Sequence, residues 1–230
     1  MVGTIANTAA IIGGTIVGVV LHRGIKEKYK VALYDALGLA SLAIGLNATI
    51  VNLPKSNYPV LFILSLAIGT AVGTALNIDG RFKQLVNRFS NNNDGHQLAN
   101  GLATAILLYC IGPLSMLGPV ISALQGDNTF LYTNATLDFV SSIIFAATYG
   151  IGMMLAALVL FCWQGLFYLI AQLSASALSD ALMAELLILG GLMITASGLS
   201  LLNLKNCHVL NLLPALLIPP IWFLFKSLIL

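Results

Sequence analysis

Long runs of apolar residues recur along this chain and constrain its fold more than any other feature. Seven runs are each close to the ~20 residues that a helix needs to cross a bilayer. Only 8% of the 230 residues are charged and 59% are hydrophobic, whereas soluble domains carry about 25% charged residues. In hydrocarbon only helices and closed barrels satisfy all the hydrogen-bonding groups of the backbone. Barrel strands alternate polar and apolar residues, and these runs do not alternate. The sequence therefore predicts an all-α, polytopic transmembrane helical bundle.

The pattern predicts about seven spans in one transmembrane domain, residues 1–230. Polar or punctuated segments separate them, and the three longest are residues 79–97 as a loop with a short surface helix, residues 125–136 as a loop, and residues 164–180 as an interfacial or re-entrant segment. The predicted spans are Gly3–Leu21, Val31–Val51, Val60–Asn77, Leu98–Leu124, Asp138–Trp163, Glu185–Leu204 and Val209–Ile229.

The placement of Lys and Arg predicts the orientation, because cytoplasmic loops carry an excess of these residues. With the N-terminus outside and seven spans, eight cations lie inside and only Lys55 and Lys205 lie outside. If residues 138–173 crossed twice, Lys205 and Lys226 would exchange sides and the count would not change. Thirty-six residues are short for two spans of ~20 each, which favours seven. The inside residues are Arg23, Lys26, Lys28, Lys30, Arg81, Lys83, Arg88 and Lys226.

A small-residue octet occurs twice, as GTIVGVVL from Gly14 and as GTAVGTAL from Gly69. Small residues four apart let helix backbones approach closely in lipid, where apolar area alone does not drive association. Gly14 with Gly18, and Gly69 with Gly73, are therefore predicted helix-packing positions. Two interpretations remain: plain helix packing, or stripes that line a pathway or a subunit interface.

A weaker repeat relates GLASLAIGL, from Gly38, to GLMITASGL, from Gly191. Both segments run from inside to outside in the seven-span topology. This favours a 3+1+3 internal repeat with halves 1–78 and 138–230 and a linker helix, 98–124, although chance can also produce the match. Internal repeats are typical of transporters.

Polar residues within apolar spans are candidate sites, because a charge at the bilayer centre costs ~2.5–3.5 kcal/mol on insertion scales. Asp138 is predicted to begin the fifth span, where it either caps the helix or binds a ligand. Asn7, Gln164 and Asn211 are further polar candidates, each of which can instead hydrogen-bond a neighbouring helix.

The segment CIGPLSMLGP is the best candidate for a broken helix at membrane depth. Irregular backbone is tolerated there only inside protein or beside a cavity. Gly112, Pro113 and Gly118 mark this break, where carbonyls about one turn before Pro113 are expected to be free acceptors.

Enzyme signals are poor. The three histidines fall in separate loops, and no HExxH, GxSxG, CxxC or P-loop pattern is present. The sequence predicts no enzyme activity, no cofactor, no metal site and no nucleic-acid partner.

Several motifs, in order along nearly the whole chain, resemble the YqgA-like bacterial inner-membrane proteins, known as domain of unknown function 554. They include MVGTIANTAAIIGGTIVG, CIGPLSMLGPVISALQGD, LDFVSSIIFAATYGIGMML, WQG and ELLILGGLMITASGLSLLNLKNCHVLNLLPALL. The resemblance implies a bacterial plasma-membrane protein and no certain activity. The family pattern has a small residue at position 113 and a Lys shortly before the Asp, where this chain has Pro113 and Thr133–Asn134. Positions matching the family motifs are Gly3, Asn7, Gly14, Gly112, Gly118, Asp138, Gln164, Gly165, Glu185, Gly191, Asn211 and Pro214.

The sequence therefore favours a transporter or channel for a small solute or ion, working as a homo-oligomer in the lipid bilayer. The alternative is a non-transporting scaffold or assembly factor that binds partner helices through its glycine-rich faces.

Overall fold

The structure, a computed structural model, describes residues 1–21, 26–90, 97–110, 112–174 and 179–229. These residues form α-helices joined by short turns, and the described part of the chain contains no strand. Short 3₁₀ helices cover Leu53–Lys55, Ile151–Met154 and Val209–Leu217. The α-helices are α1 Val2–Leu21, α2 Glu27–Asn52, α3 Leu61–Ala75, α4 Ile78–Ser90, α5 Gln97–Cys110, α6 Pro113–Gln125, α7 Thr129–Tyr149, α8 Leu155–Leu173, α9 Asp180–Leu201 and α10 Ile218–Ile229.

Six described segments are long and apolar enough to cross a membrane. A seventh is obtained if α3 and the start of α4, which meet at a 44° bend, form one span. The predicted fold class, an all-α polytopic bundle of about seven spans, is therefore confirmed.

The boundaries between residues 125 and 173 differ from the prediction. The fifth span was expected to begin at Asp138 after a loop, yet α7 begins at Thr129. Threonine hydroxyls explain the difference, because Thr133 and Thr136 donate to the carbonyls four residues earlier, of Thr129 and Tyr132. A helix that satisfies its own hydroxyl groups in this way can carry polar residues into an apolar environment.

The prediction of a single helix over residues 138–163 is also wrong. α7 ends at Tyr149, and the next residue, Gly150, has a φ of 84°, which is accessible mainly to glycine. A second helix, α8, then continues to Leu173 and takes in most of the segment predicted to be interfacial. Residues 175–178 of that segment lie outside the described residues. Two helices of span length therefore replace one.

The chain divides into two compact units. Unit 1 comprises Met1–Leu33 and Lys83–Ala175, and unit 2 comprises Tyr34–Phe82 and Ser176–Leu230. These discontinuous units do not coincide with the halves predicted for a 3+1+3 repeat, which stays a prediction.

In unit 1, α1 packs along α7. A Cβ atom added at Gly3 would meet Leu131, and one added at Gly18 would meet the carbonyl of Ile143, so the two helices run in the same direction. Asn128, just before α7, fixes the start of α1, since its Oδ1 accepts from the Gly3 amide at 3.1 Å. That amide is one of the donors that a helix start leaves without an intrahelical partner.

The break between α5 and α6 is present, as predicted. α5 ends at Cys110 and α6 begins at Pro113. Both helices pack on α7 and α8. Gly101 lies against Tyr149 at one end of α7, and Gly118 lies against Leu131 near the other end. The two short helices therefore run in succession along α7, in the opposite direction.

In unit 2, α2 packs on α9 through two pairs of glycines. A Cβ atom at Gly38 would lie 3.2 Å from the carbonyl oxygen of Gly198, and one at Gly45 would lie 2.6 Å from that of Gly191. The two helices are therefore antiparallel, whereas in the seven-span topology both ran from inside to outside. The reason is the extra helix in residues 129–173, which reverses the direction of everything after it.

Lys226 lies at a different end of unit 2 from the one expected. Its ammonium donates to the hydroxyl of Tyr58 at 2.6 Å, in the loop that also carries Lys55. The seven-span topology placed Lys226 and Lys55 on opposite sides, whereas the alternative in which residues 138–173 cross twice places both on the same side.

Candidate functional site

Asp138 lies inside α7, ten positions into the helix counted from Thr129. It is only 5% exposed, and its carboxyl Oδ2 accepts from the amide of Asn134 at 2.9 Å. Among residues that the structure describes, no Lys, Arg or His bonds to it. The capping interpretation is therefore wrong, and Asp138 is a buried mid-helix carboxyl group whose bonded neighbour is an uncharged amide.

Asn7 on α1 belongs to the same interior. It is fully buried and lies within interacting range of the Asp138 carboxyl group. Its side-chain Oδ1 and Nδ2 nevertheless make no hydrogen bond in good geometry with any residue of the described ranges. An amide with both ends unpaired in a buried position is costly, by about 1–3 kcal/mol for each unsatisfied group.

Gln164 on α8 forms a second buried polar pair in unit 1. Its Nε2 donates to the hydroxyl of Ser115 on α6 at 3.3 Å, and both residues are fully buried. The Gln164 Oε1 has no hydrogen-bond partner among the residues described. The helices that carry these two polar pairs pack against one another.

The break before α6 lies three residues from Ser115. Gly112 is the extended N-cap of α6, with φ −131° and ψ 154°, and Pro113 begins the helix. Pro113 therefore starts a helix, where its missing N–H costs little, and it does not interrupt one. A Cβ atom at Gly112 would meet nothing within 4 Å, whereas one at Gly118 would press on Leu131. Open space thus adjoins the break at Gly112 but not at Gly118.

We group the buried polar residues of these two sets as the candidate site, called the Asp138 cluster: Asn7, Ser115, Asn134, Asp138 and Gln164. It has one carboxyl group, three amides and a hydroxyl, with unpaired atoms on Asn7 and Gln164. Oxygen atoms of this kind bind hard monovalent cations or hydrogen-bond uncharged polar solutes. An anion would be repelled by the carboxylate.

Asn211 lies in unit 2 and is not part of that cluster. Its side-chain Oδ1 accepts from the backbone amide of Asp79 at 2.8 Å, near the start of α4. The Asp79 carboxyl group contacts His208 Nδ1 at 2.8 Å. Asn211 thus satisfies a helix-start amide, which is the structural alternative that the sequence left open.

The four predicted packing glycines each lie against another helix of their own unit. A Cβ atom at Gly14 or Gly18 would collide with carbonyl oxygens of α7. One at Gly69 or Gly73 would collide with the backbone of the 3₁₀ helix Val209–Leu217. Both octets therefore lie at close backbone approaches within the chain.

An open, apolar cavity of about 850 Å³ lies in unit 2, and it does not contain the predicted polar residues. α3 and α9 provide most of its walls. The lining of this cavity includes Phe62, Leu66, Thr70, Leu192 and Leu212. Binding sites combine apolar walls with a few polar groups, so the Asp138 cluster is the better candidate for a solute-binding site.

Sequence reasoning missed two members of the Asp138 cluster. Asn134 was assigned to a loop, although it lies four residues before Asp138 and a helical register would have paired them. Ser115 has no sequence signal beyond its place between Pro113 and Gly118. Among described residues, no group of three or more His, Cys, Asp or Glu side chains is arranged to hold a metal ion.

A family model described as "Protein of unknown function (DUF554)" matches residues 2–224. The chain belongs to the DUF554 family. Its sequence is 52% identical over 221 residues to "Uncharacterized membrane protein YdfK" of Bacillus subtilis, covering 96% of this chain and 95% of that relative. It is 28% identical over 229 residues to "Uncharacterized protein YqgA" of Escherichia coli, covering 95% of this chain and 94% of that relative.

No solved structure significantly matches this DUF554 chain. Membership confirms the resemblance seen in the sequence motifs. Together with the helices of span length and the description of YdfK, it identifies a multi-pass membrane protein.

Proposed function

We propose that this DUF554 protein is a transporter or channel for a small solute or ion, and that the Asp138 cluster contacts the solute. The observation that carries the proposal is a buried carboxyl group without a cationic partner among the described residues, beside buried amides with unpaired atoms. Ionisable residues within membrane spans are costly, and they commonly mark substrate or ion pathways.

The local backbone supports the same proposal. The break at Gly112 lies close to Ser115, and broken helices build solute sites in many transporters because they present backbone groups at membrane depth. A cation or an uncharged polar solute fits the Asp138 cluster better than an anion does, because its one ionisable group is acidic.

Flux measurements in proteoliposomes test the proposal. The purified protein is expected to pass at least one small cation or polar metabolite, and Asp138→Asn is expected to lower that flux at least tenfold. Asp127→Asn is the matched control, because Asp127 is an exposed acid of the same unit that accepts from Thr129, as an asparagine side chain can. Equal flux in empty vesicles and in vesicles containing protein, across ions and common metabolites, would remove the transport function.

The second candidate is a scaffold that binds partner helices through glycine-rich faces. It has less support, because Gly14, Gly18, Gly69 and Gly73 already lie against helices of their own unit. Its remaining support is the open apolar cavity of unit 2. Cross-linking in membranes followed by co-purification tests this candidate, which requires a stable partner protein.

The proposal includes a membrane topology. With α5–α6 as one broken span and Val209–Leu217 with α10 as another, the chain makes eight crossings. We propose a bacterial inner-membrane location with the N-terminus outside. Lys205 then joins the inside cations and Lys226 moves outside, which keeps the ratio of eight to two.

The proposal also keeps three expectations from the sequence. The protein is a homo-oligomer in the bilayer, it is not an enzyme, and it acts without a cofactor, a metal or a nucleic-acid partner. Native mass spectrometry from detergent micelles measures the oligomer number and detects any bound small molecule.

A further inference from the structure

A second carboxyl group is buried in unit 2. Glu185 lies on α9 and is 0% exposed, although it is only five residues from the exposed Asp180 that begins the helix. Its Oε1 accepts from the hydroxyl of Ser56. Its Oε2 has no hydrogen-bond partner among the described residues. Half of this carboxyl group is therefore unsatisfied within the protein.

No positive charge of the described chain neutralises Glu185. Lys55, the nearest cation to Ser56 along the chain, donates instead to Asn52 at 3.3 Å. Lys226 donates to the hydroxyl of Tyr58. Because an unpaired buried carboxylate is strongly disfavoured, a bound cation would stabilise it.

Ser56 connects this carboxyl group with the surface. It is half-buried in the turn between Leu53–Lys55 and α3, and its flanking residues Lys55 and Asn57 are exposed. The Ser56 Oγ also accepts from the amide of Tyr58 at 3.1 Å, which fixes the hydroxyl toward Glu185. The geometry thus places a fixed pair of oxygen-bearing groups beside an exposed turn.

We propose that Glu185 and Ser56 form a binding site for a sodium ion. The ion would take oxygen ligands from the carboxylate and the hydroxyl, as hard cations prefer. The site belongs to unit 2, shares no residue with the Asp138 cluster and does not depend on the protein being a transporter.

Other titratable groups of unit 2 must be separated from Glu185 in any pH experiment. On the elements beside the start of α9 these are Lys55, Tyr58, Asp180 and Lys226, none of which bonds to Glu185. α3 carries none. Asp35 and Lys205 lie toward the opposite end of the antiparallel α2–α9 pair, as does His208, which contacts Asp79. Comparison with a single Glu185 variant isolates its contribution.

Thermal unfolding of the purified full-length protein in detergent tests the site, with sodium, potassium or choline chloride at constant ionic strength and over a range of pH. If sodium binds, it is expected to raise the melting temperature by several degrees over choline, through binding to the folded state.

This response is expected to be lost in Glu185→Gln, which keeps the side-chain size, and retained in Asp180→Asn, the exposed acid on the same helix. Ser56→Ala keeps the carboxyl group and is expected to shift the response to higher sodium, so a result does not depend on Glu185→Gln folding. The proposal is overturned if sodium does not stabilise the wild type over choline, or if Glu185→Gln responds as the wild type does.

Discussion

At the scale of single residues, glycine on α1 has two different environments. A Cβ atom at Gly14 would collide with the Phe139 carbonyl oxygen, whereas one at the neighbouring Gly13 would make an ordinary 3.7 Å contact with the Phe139 ring. The same substitution at adjacent positions therefore separates helix packing from glycine's general effect on a helix.

Gly14→Ala is expected to destabilise the protein by about 1–3 kcal/mol, because overpacking of a close approach forces the backbones apart. Gly13→Ala is expected to leave stability unchanged or to raise it by up to about 1 kcal/mol, because alanine favours a helix over glycine. Denaturant or thermal unfolding in micelles measures both. Equal destabilisation by the two variants would contradict the packing role of the first octet.

Asn211 offers a second residue-scale prediction. Its Oδ1 satisfies the Asp79 amide near the start of α4, so Asn211→Ala is expected to cost about 1 kcal/mol, the usual value for a lost helix cap. Asn211→Asp keeps an acceptor and is expected to lose less. Hydrogen exchange of the first turn of α4 should accelerate in Asn211→Ala only, and unchanged exchange would argue against this capping role.

At the scale of helices, the division of residues 129–173 into α7 and α8 matters most. In the single helix predicted from the sequence, Gly150 would lie near the bilayer centre. In the structure it lies at the junction of two helices, so its neighbour Ile151 is expected at a membrane surface. Leu158, by contrast, lies within α8.

Cysteine labelling distinguishes these arrangements. With Cys110, Cys162 and Cys207 replaced by Ala, Ile151→Cys is expected to react with a membrane-impermeant thiol reagent from the cytoplasmic side. Leu158→Cys is the control, because the two native side chains are similarly exposed from the protein, at 56% and 63%. Leu158→Cys should remain unlabelled, because it lies at lipid depth. Protection of both positions would favour the single span.

The sequence predicted most of the fold at this scale. Apolar length located α1, α2, α3 and α9 to within a few residues, because a bilayer imposes a nearly fixed helix length. The prediction failed between residues 125 and 173, where the polar stretch 125–136 was interpreted as a loop. Thr133 and Thr136 satisfy their hydroxyls inside α7, and such local bonds are not visible in hydropathy.

The candidate site was predicted only in part. Lone polar residues in apolar runs are conspicuous, which brought Asn7, Asp138 and Gln164 to attention. Which of them meet depends on the direction and rotation of each helix. Asn211 was therefore grouped with residues of unit 1, although it belongs to unit 2.

At the scale of the whole molecule, the number of crossings decides where the chain ends. Eight crossings place both termini on the same side, whereas seven place them on opposite sides. Alkaline phosphatase fused after residue 230 is expected to be active in a Gram-negative host, because the enzyme matures only outside the inner membrane. An inactive fusion, together with a fluorescent cytoplasmic reporter at the same position, would contradict eight crossings.

The proposed function requires that solutes reach the Asp138 cluster from water, and accessibility at position 138 tests this most directly. In the cysteine-free background, Asp138→Cys is expected to react with a small cationic methanethiosulfonate reagent in intact vesicles. Ile143→Cys, a similarly buried position on the same helix, should not react. If position 138 is as unreactive as position 143, the interior of unit 1 is sealed, and the cluster holds helices together instead of passing solutes.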